Sequence, residues 1–294
     1  MLAFLLFSLY ICTGLMKEVT SKTLYVSDMD GTLMGADSRL SQRTVDILND
    51  LIARKGLLFT VATARTTATV VPLMQAVHAT LPFIILSGAA LWNPVERRIE
   101  QVQAIPAEEV TRACAIFERH GVRPFVYRQH GNVIHTHHYG TLSQVEHEFV
   151  EARRYTPYKH FLLGDASYHT SDDATMLIFA MSHGNALEQI YHEVRQQVHC
   201  SPILYYDNND KQLALLEVYA EGCNKAAAVR CLSQQVGADR VVAFGDNNND
   251  LPMLQAADHG VAVANAVPAL LTAADEVIGP NTDDSVAQYL MNNV

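Results

Sequence analysis

Apolar positions along this chain fall into short unbroken runs that all stop in the same way. "TLYVS" leads to Asp28, "LLFTVA" to Thr63, "FIIL" to Ser87, "VVAF" to Gly245 and Asp246, and "GVAVA" to Asn265. Continuous β-branched and aromatic runs, each ending in a small or polar residue, are the pattern of parallel strands buried on both faces, where neither face meets water. Between the runs the apolar spacing changes to three and four. Val45, Leu48 and Ile52 follow Ser41, whose hydroxyl suits an N-cap, with Leu40 and Val45 placed to close a hydrophobic staple across it. "NKAAAVRCLSQQVG" predicts a helix ended by Gly237, and "NDLPMLQAA" one with Pro252 in its first turn, where a missing amide hydrogen costs nothing. Strand, helix, strand in this rhythm predicts right-handed crossovers and an α/β fold with a doubly wound parallel sheet. Ligands of such sheets bind beyond the carboxyl ends of the strands, so Asp28, Thr63 and Asp246 are expected to be neighbours in space.

The middle of the chain has a different texture. From about Asn93 to Ala214 the runs alternate ("RPFVYRQHGNVIHTH", "ATMLIFAM", "PILYYDNNDKQLALLEVYA"), with helical stretches near Ala107–His120 and Asn185–Gln197. His130-Gly131-Asn132 and the run from Asp207 to Asp210 carry hairpin-turn chemistry. This predicts an α+β domain, residues 93–214, inserted into a core made of residues 16–92 and 215–294. The opening "MLAFLLFSLYICTGLM" is short for a bilayer span and lacks a basic leader and a small-residue cleavage site. Met16 is therefore the expected start, with residues 1–15 an upstream extension; a membrane or export signal and a packed helix are the alternatives. Ile11 is a poor neighbour for a lipidated Cys12.

Charge and cysteine usage narrow the partners. The 294-residue chain has 31 acidic and 21 basic residues, a net charge of -10 and no Lys/Arg-rich run, which excludes the electrostatic footprint of nucleic-acid binding. Cys12, Cys114, Cys200, Cys223 and Cys231 are scattered without a CxxC pair, so neither a disulfide framework nor a zinc cluster is suggested and a cytoplasmic location is expected. No membrane association is expected unless the apolar opening is real. A monomer or homodimer is expected, and the lack of a GxxxxGK[ST] stretch excludes a P-loop kinase.

Two acids one residue apart at the end of a buried strand are costly unless something cationic or reactive is beside them. Asp28-Met29-Asp30-Gly31-Thr32 resembles the DxDGT signature of the haloacid dehalogenase-like superfamily, and the run from Gly245 to Asp250, "GDNNND", is similar to its GDxxND signature. Thr63 in "VATAR" and Lys225 in "EGCNKAAA" lie between them at matching places. "LSGAAL", "GVAVANAVP" and "NTDDSVAQYL" further resemble segments of the Cof-type phosphatases, whose class IIB cap is inserted between the threonine and lysine motifs. Ala64, Ser87, Ala264 and Ser285 depart from the residues usual there.

The resemblance implies a Rossmann-like core, an inserted cap and Mg²⁺ held by the side chains of Asp28 and Asp246 and the main-chain carbonyl of Asp30, with Asp250 in support. It implies Asp28 as nucleophile, Asp30 as general acid and base, Thr63 as a hydrogen-bond donor to the phosphoryl oxygens, Lys225 as the group that balances the charge, and Asn249 and Arg65 as orienting groups. The chemistry of the residues agrees: a carboxylate approaching a phosphate dianion needs an intervening cation, and Mg²⁺ takes oxygen ligands. The expected function is Mg²⁺-dependent hydrolysis of a small phosphate ester, a sugar phosphate or a flavin mononucleotide- or pyridoxal phosphate-like cofactor. The alternatives are phosphotransfer by a sugar phosphomutase of the same superfamily and a non-catalytic metabolite-binding regulator. Taken singly, each residue has a plain reading as strand end, helix cap or surface lysine. The cap residues His130, His135, His137 and His138 suit a polar hairpin face, a substrate rim or metal ligation, since an HxH pair on a strand shares one face. Trp92, Tyr205 and Tyr206 are expected to serve packing.

Overall fold

The computed structural model describes residues 22–164, 173–207 and 210–294. The apolar opening, Cys12 and Met16 lie outside the described residues, as do the two central positions of the Asp207–Asp210 turn. The described residues build three sheets. The first is a five-stranded parallel sheet assembled from β1 (Thr23–Ser27), β2 (Leu58–Val61), β12 (Arg240–Gly245), β13 (His259–Val263) and β14 (Glu276–Ile278), in the order β14-β13-β12-β1-β2. Sequence order runs outward in opposite directions from the β1/β12 pair. That pair is the topological switch point, and its carboxyl end delivers Asp28 and Asp246 side by side.

Helices cover this sheet as the spacing predicts. In α1 (Gln42–Lys55) the Ser41 hydroxyl accepts the Thr44 N–H at 2.9 Å, and Val45, Leu48 and Leu51 are buried. Ile52, expected in that stripe, is only half-buried because the buried face continues through Leu51. Asp284 accepts hydrogen bonds from the Ser41 and Thr44 hydroxyls, at 2.6 and 3.0 Å, and so ties the entry of α1 to the C-terminal segment. The following α2 (Thr67–Met74) leads to the one strand that departs from expectation. The "FIIL" run forms β3 (Phe83–Ile85), which touches the parallel sheet through the single bridge Ala62–Ile84 and otherwise pairs antiparallel with β4 (Ala90–Asn93), itself paired with β5 (Arg98–Glu100). The connection through Leu86–Gly88 is too short for a parallel crossover, so the next strand folds straight back.

The inserted sheet has six strands in the order β10-β11-β9-β6-β7-β8. They are β6 (Phe125–His130), β7 (Val133–His138), β8 (Lys159–Leu163), β9 (Thr175–His183), β10 (Cys200–Tyr206) and β11 (Leu213–Ala220), joined by α3 (Ala107–Arg119), α4 (Gln144–Glu151) and α5 (Ala186–Gln197). The β6–β7 hairpin turns at Gly131-Asn132 as its sequence predicts. All pairs are antiparallel except β7–β8, where α4 provides the crossover. This helix was not among the expected elements, although Ser143-x-x-Glu146 is a capping box and forms both of its reciprocal bonds. The expected boundaries at 92/93 and 214/215 fall inside β4 and β11.

The chain returns through α6 (Lys225–Val236), which is capped by Asn224 and ended by Gly237. It then passes through α7 (Leu251–Ala256), with Pro252 in its first turn, α8 (Pro268–Ala273) and α9 (Ser285–Asn293). The turn at Leu86–Gly88 presses on the start of α6: Gly88 has φ +106°, and a Cβ there would stand 2.5 Å from the Asn224 carbonyl oxygen. Gly88→Ala is therefore expected to cost roughly 2–3 kcal/mol, read from the urea midpoint. An unchanged midpoint would show that the turn can back away from α6.

Candidate active site

Asp28 leaves β1 with its N–H donated to the Phe244 carbonyl of β12 at 2.9 Å, which locks the strand end to its neighbour. Its buried carboxylate meets Lys225, the first residue of α6. Lys225 Nζ donates to Asp28 Oδ1 at 2.5 Å and to Asp250 Oδ1 at 2.7 Å, with lysine and both acids buried. Asp250 closes the turn Asn248–Asp250, and its second oxygen accepts the N–H groups of Asp246 and Asn247 at 3.2 and 3.1 Å. Asp246 accepts the Thr32 hydroxyl at 2.9 Å. The loop carrying Thr32 comes this close because Gly31, at φ +78°, has no Cβ; one would lie 2.5 Å from Asp246 Oδ2.

One donor atom each from Asp28, Asp246 and Asp250 falls within 4.8 Å of the others. Asp28 and Asp250 thus share one ammonium, and Asp246 adds a third carboxylate beside them. Burial pushes Asp28 up to about 7; Lys225 opposes this, and the charge on Asp250 adds to it. Burial likewise pushes Asp246 up to about 6, against the Thr32 hydrogen bond. At Lys225 burial disfavours the charge, but Asp28 and Asp250 outweigh it and hold the amine protonated. The excess of buried negative charge and the all-oxygen donor set fit a hard divalent cation.

Asp30 takes another direction. Its half-exposed carboxylate receives a two-pronged contact from Arg65, Nε to Oδ2 at 2.6 Å and Nη2 to Oδ1 at 2.5 Å, so its side chain is not part of the three-acid cluster. Thr63 is buried at the end of β2, and its hydroxyl oxygen accepts the Arg65 N–H at 3.1 Å. Asn249 is exposed on its turn. Asn265 braces the loop that carries Gly31: its Nδ2 donates to the Gly31 carbonyl at 2.8 Å, and its Oδ1 accepts the Asn281 N–H at 2.9 Å.

Asp30 and Arg65 also form the core-side wall of a cavity of ≈ 580 Å³ roofed by the inserted domain. Tyr127, Phe149, Phe179 and Tyr205 give it aromatic walls, with Arg153, Lys159 and Glu217 among them. Lys159 is buried; its Nζ donates to the Tyr127 hydroxyl at 3.0 Å and lies 4.3, 4.6 and 5.2 Å from the ring centres of Tyr127, Phe161 and Phe149. Burial, and then the charge on Arg153, holds its pKa well below the ordinary lysine value. Tyr205, expected only to pack, donates its hydroxyl to Glu217 at 2.9 Å in the cavity wall. Sequence reasoning missed Lys159, Arg153 and Thr32. The signals were the unread capping box of α4, which sets Phe149 and Arg153, and a lysine alternating with Phe161 on a strand. His135 and His137 share the sheet face opposite the cavity, and His138 points the other way, buried against Phe125 and Glu146. Trp92 packs on Tyr158 with ring centres 4.9 Å apart.

The sequence profile of a haloacid dehalogenase-like hydrolase family matches residues 25–290. The chain is 28% identical over 271 residues to an HMP-PP phosphatase of Serratia proteamaculans, covering 90% of this chain and 93% of that one. It is 27% identical over 288 residues to a pyridoxal phosphate phosphatase of Escherichia coli, covering 91% and 97%. The crystal structure of a haloacid dehalogenase-like hydrolase from Bacteroides thetaiotaomicron shares its fold, with a TM-score of 0.74 at 20% identity over 93% of this chain and 100% of that one.

Removing the shared cation tests the electrostatics of the cluster. Lys225→Met leaves Asp28 and Asp250 buried without their ammonium and is expected to cost about 3–5 kcal/mol in urea unfolding at neutral pH. A loss below about 1 kcal/mol would mean that the acids are solvated, contrary to their burial.

Proposed function

Because this chain belongs to the haloacid dehalogenase-like hydrolases, we propose that it is a Mg²⁺-dependent phosphatase of a small phosphorylated metabolite, acting through an aspartyl phosphate on Asp28. The observation that carries this reading is the buried Lys225 bridge: it occupies one oxygen of Asp28 and leaves the other to act as nucleophile. In this reading Asp28 attacks phosphorus as the bond to the leaving alcohol breaks. Asp30 protonates the leaving oxygen, then removes a proton from the water that attacks the aspartyl phosphate and releases inorganic phosphate. The Thr63 hydroxyl hydrogen and the Lys225 ammonium bind phosphoryl oxygens. Arg65 holds Asp30 at the mouth of the cavity, and an incoming phosphate dianion competes for its guanidinium, freeing Asp30 for proton transfer. The Asp28 and Asp246 side chains and the Asp30 main-chain carbonyl, with Asp250 in support, would hold Mg²⁺, which would supply neutralisation of the negative charge on nucleophile and phosphate.

In this reading residues 22–92 and those from about 221 onward carry this chemistry and the residues between them form the cap, a later return than the expected 214/215 because β11 pairs within the cap sheet along its length. The cap sets substrate choice. Its aromatic walls and buried amine favour, among sugar phosphates and cofactor phosphates, an ester whose alcohol is a flat ring bearing an oxygen acceptor. Four free cysteines and no disulfide among the described residues agree with action in the cytoplasm. Among the same residues no helix is long and apolar enough to cross a membrane.

Phosphate release from sugar phosphates, flavin mononucleotide and pyridoxal phosphate is expected with Mg²⁺, to vanish on chelation, and to fall at least about 10³-fold in Asp28→Asn. Turnover of Asp28→Asn at the wild-type rate would sink the assignment. Lys159 gives a second test. Its folded-state pKa is depressed, so between that value and the ordinary 10.5 the unfolded chain binds more protons and stability rises with pH. Lys159→Met is expected to be more stable than wild type at neutral pH, with the advantage shrinking as pH rises through this window, and to lose kcat/KM on ring esters but not on glycerol phosphate. Parallel stability profiles would show that the amine is solvated.

A further inference from the structure

Among the described residues a second group of side chains can converge on a metal ion, on the sheet face turned away from the cavity. His130 ends β6, His135 lies on β7 and Asp173 just precedes β9, and one donor atom from each falls within 4.8 Å of the others. Nitrogen and oxygen ligands at about 2.0–2.2 Å from a tetrahedral ion stand about 3.4 Å apart, so rotation of these side chains alone can close the set. His130 Nδ1 is already 3.2 Å from Asp173 Oδ2, and the two imidazoles stack at 4.4 Å with their planes 13° apart.

The backbone fixes this arrangement. His130 and His135 flank a two-residue hairpin turn, and Arg128, paired directly with His135, donates from its buried guanidinium to the Asp173 carbonyl at 2.8 Å. The Gln129 N–H donates to the Ala174 carbonyl at 2.9 Å, which holds the approach to β9 against the hairpin. His160 stands opposite His135 across the parallel β7–β8 pair, its ring centre 5.9 Å away, and offers a further imidazole. Burial, then the neighbouring His130 and His160, favours the neutral, lone-pair-bearing form of His135.

We propose that His130, His135 and Asp173 form a binding site for a borderline transition-metal ion of the zinc class, separate from the all-carboxylate cluster around Asp28. Imidazole donors select Zn²⁺, Co²⁺ or Ni²⁺ over Mg²⁺ and Ca²⁺. A bound ion would cross-link β6, β7 and the entry of β9, at the outer face of the cap.

The test is a titration of the full chain with Zn²⁺ in the presence of excess Mg²⁺, with Co²⁺ as a spectroscopic probe. Wild type is expected to bind Zn²⁺ at micromolar or tighter concentration and to give visible Co²⁺ ligand-field bands that Zn²⁺ abolishes. His130→Gln and His135→Gln are each expected to weaken binding at least about tenfold and to change those bands. His130 is largely exposed, so its variant keeps the fold, which circular dichroism verifies. Failure of wild type to bind Zn²⁺, or equal affinity and identical Co²⁺ spectra in both variants, would overturn the proposal. The readout is independent of phosphatase activity, so loss of that reading leaves this one standing.

Discussion

The Lys225 ammonium is the interaction on which the site depends. It brings the end of β1 and the turn after β12 onto one point, because the buried carboxylates of Asp28 and Asp250 both accept a hydrogen bond from it. Two buried carboxylates at this separation would repel each other without it. The fold is arranged to keep that ammonium in place. Asn224 caps the helix that begins with Lys225, and Gly88 lets the Leu86–Gly88 turn close over the same helix start. One ammonium against three acids still leaves negative charge in excess, and this imbalance makes the site receptive to a cation.

Much of this arrangement is legible in the sequence because parallel strands advertise their ends. The residues that stop the apolar runs after β1, β2 and β12 are Asp28, Thr63 and Gly245-Asp246, and the doubly wound topology gathers them without further information. The cap of α1 by Ser41 and the ending of α6 at Gly237 are local signals that tertiary structure preserved. The misplacement of β3 has a different cause: an apolar run reports burial, whereas strand direction is set by the length of the next connection. The engagement of Asp30 by Arg65 was equally hidden, since it depends on two loops from different crossovers meeting at the rim.

The cap divides its labour between its two faces. One face, with Tyr127, Lys159 and Phe179, closes the cavity over Asp30 and Arg65; the other gathers the imidazoles of His130, His135 and His160. A buried amine with no carboxylate among its described partners works against stability, which is consistent with the specificity role proposed for it in the cavity wall. Contacts at the crossing keep the two parts in register, with Arg97 donating to the Tyr158 hydroxyl at 2.8 Å and Trp92 packed at a tilt against the same ring.

In the proposed reaction Asp28 carries the phosphoryl group during turnover. The most direct measurement is peptide mass spectrometry after acid quench of the protein, mixed briefly with a phosphate ester and Mg²⁺. The peptide containing Asp28 is expected to carry the mass of one phosphoryl group, labile at alkaline pH and lost in Asp28→Asn. Phosphate release without a modified Asp28 peptide, or with the label on another residue, would contradict it.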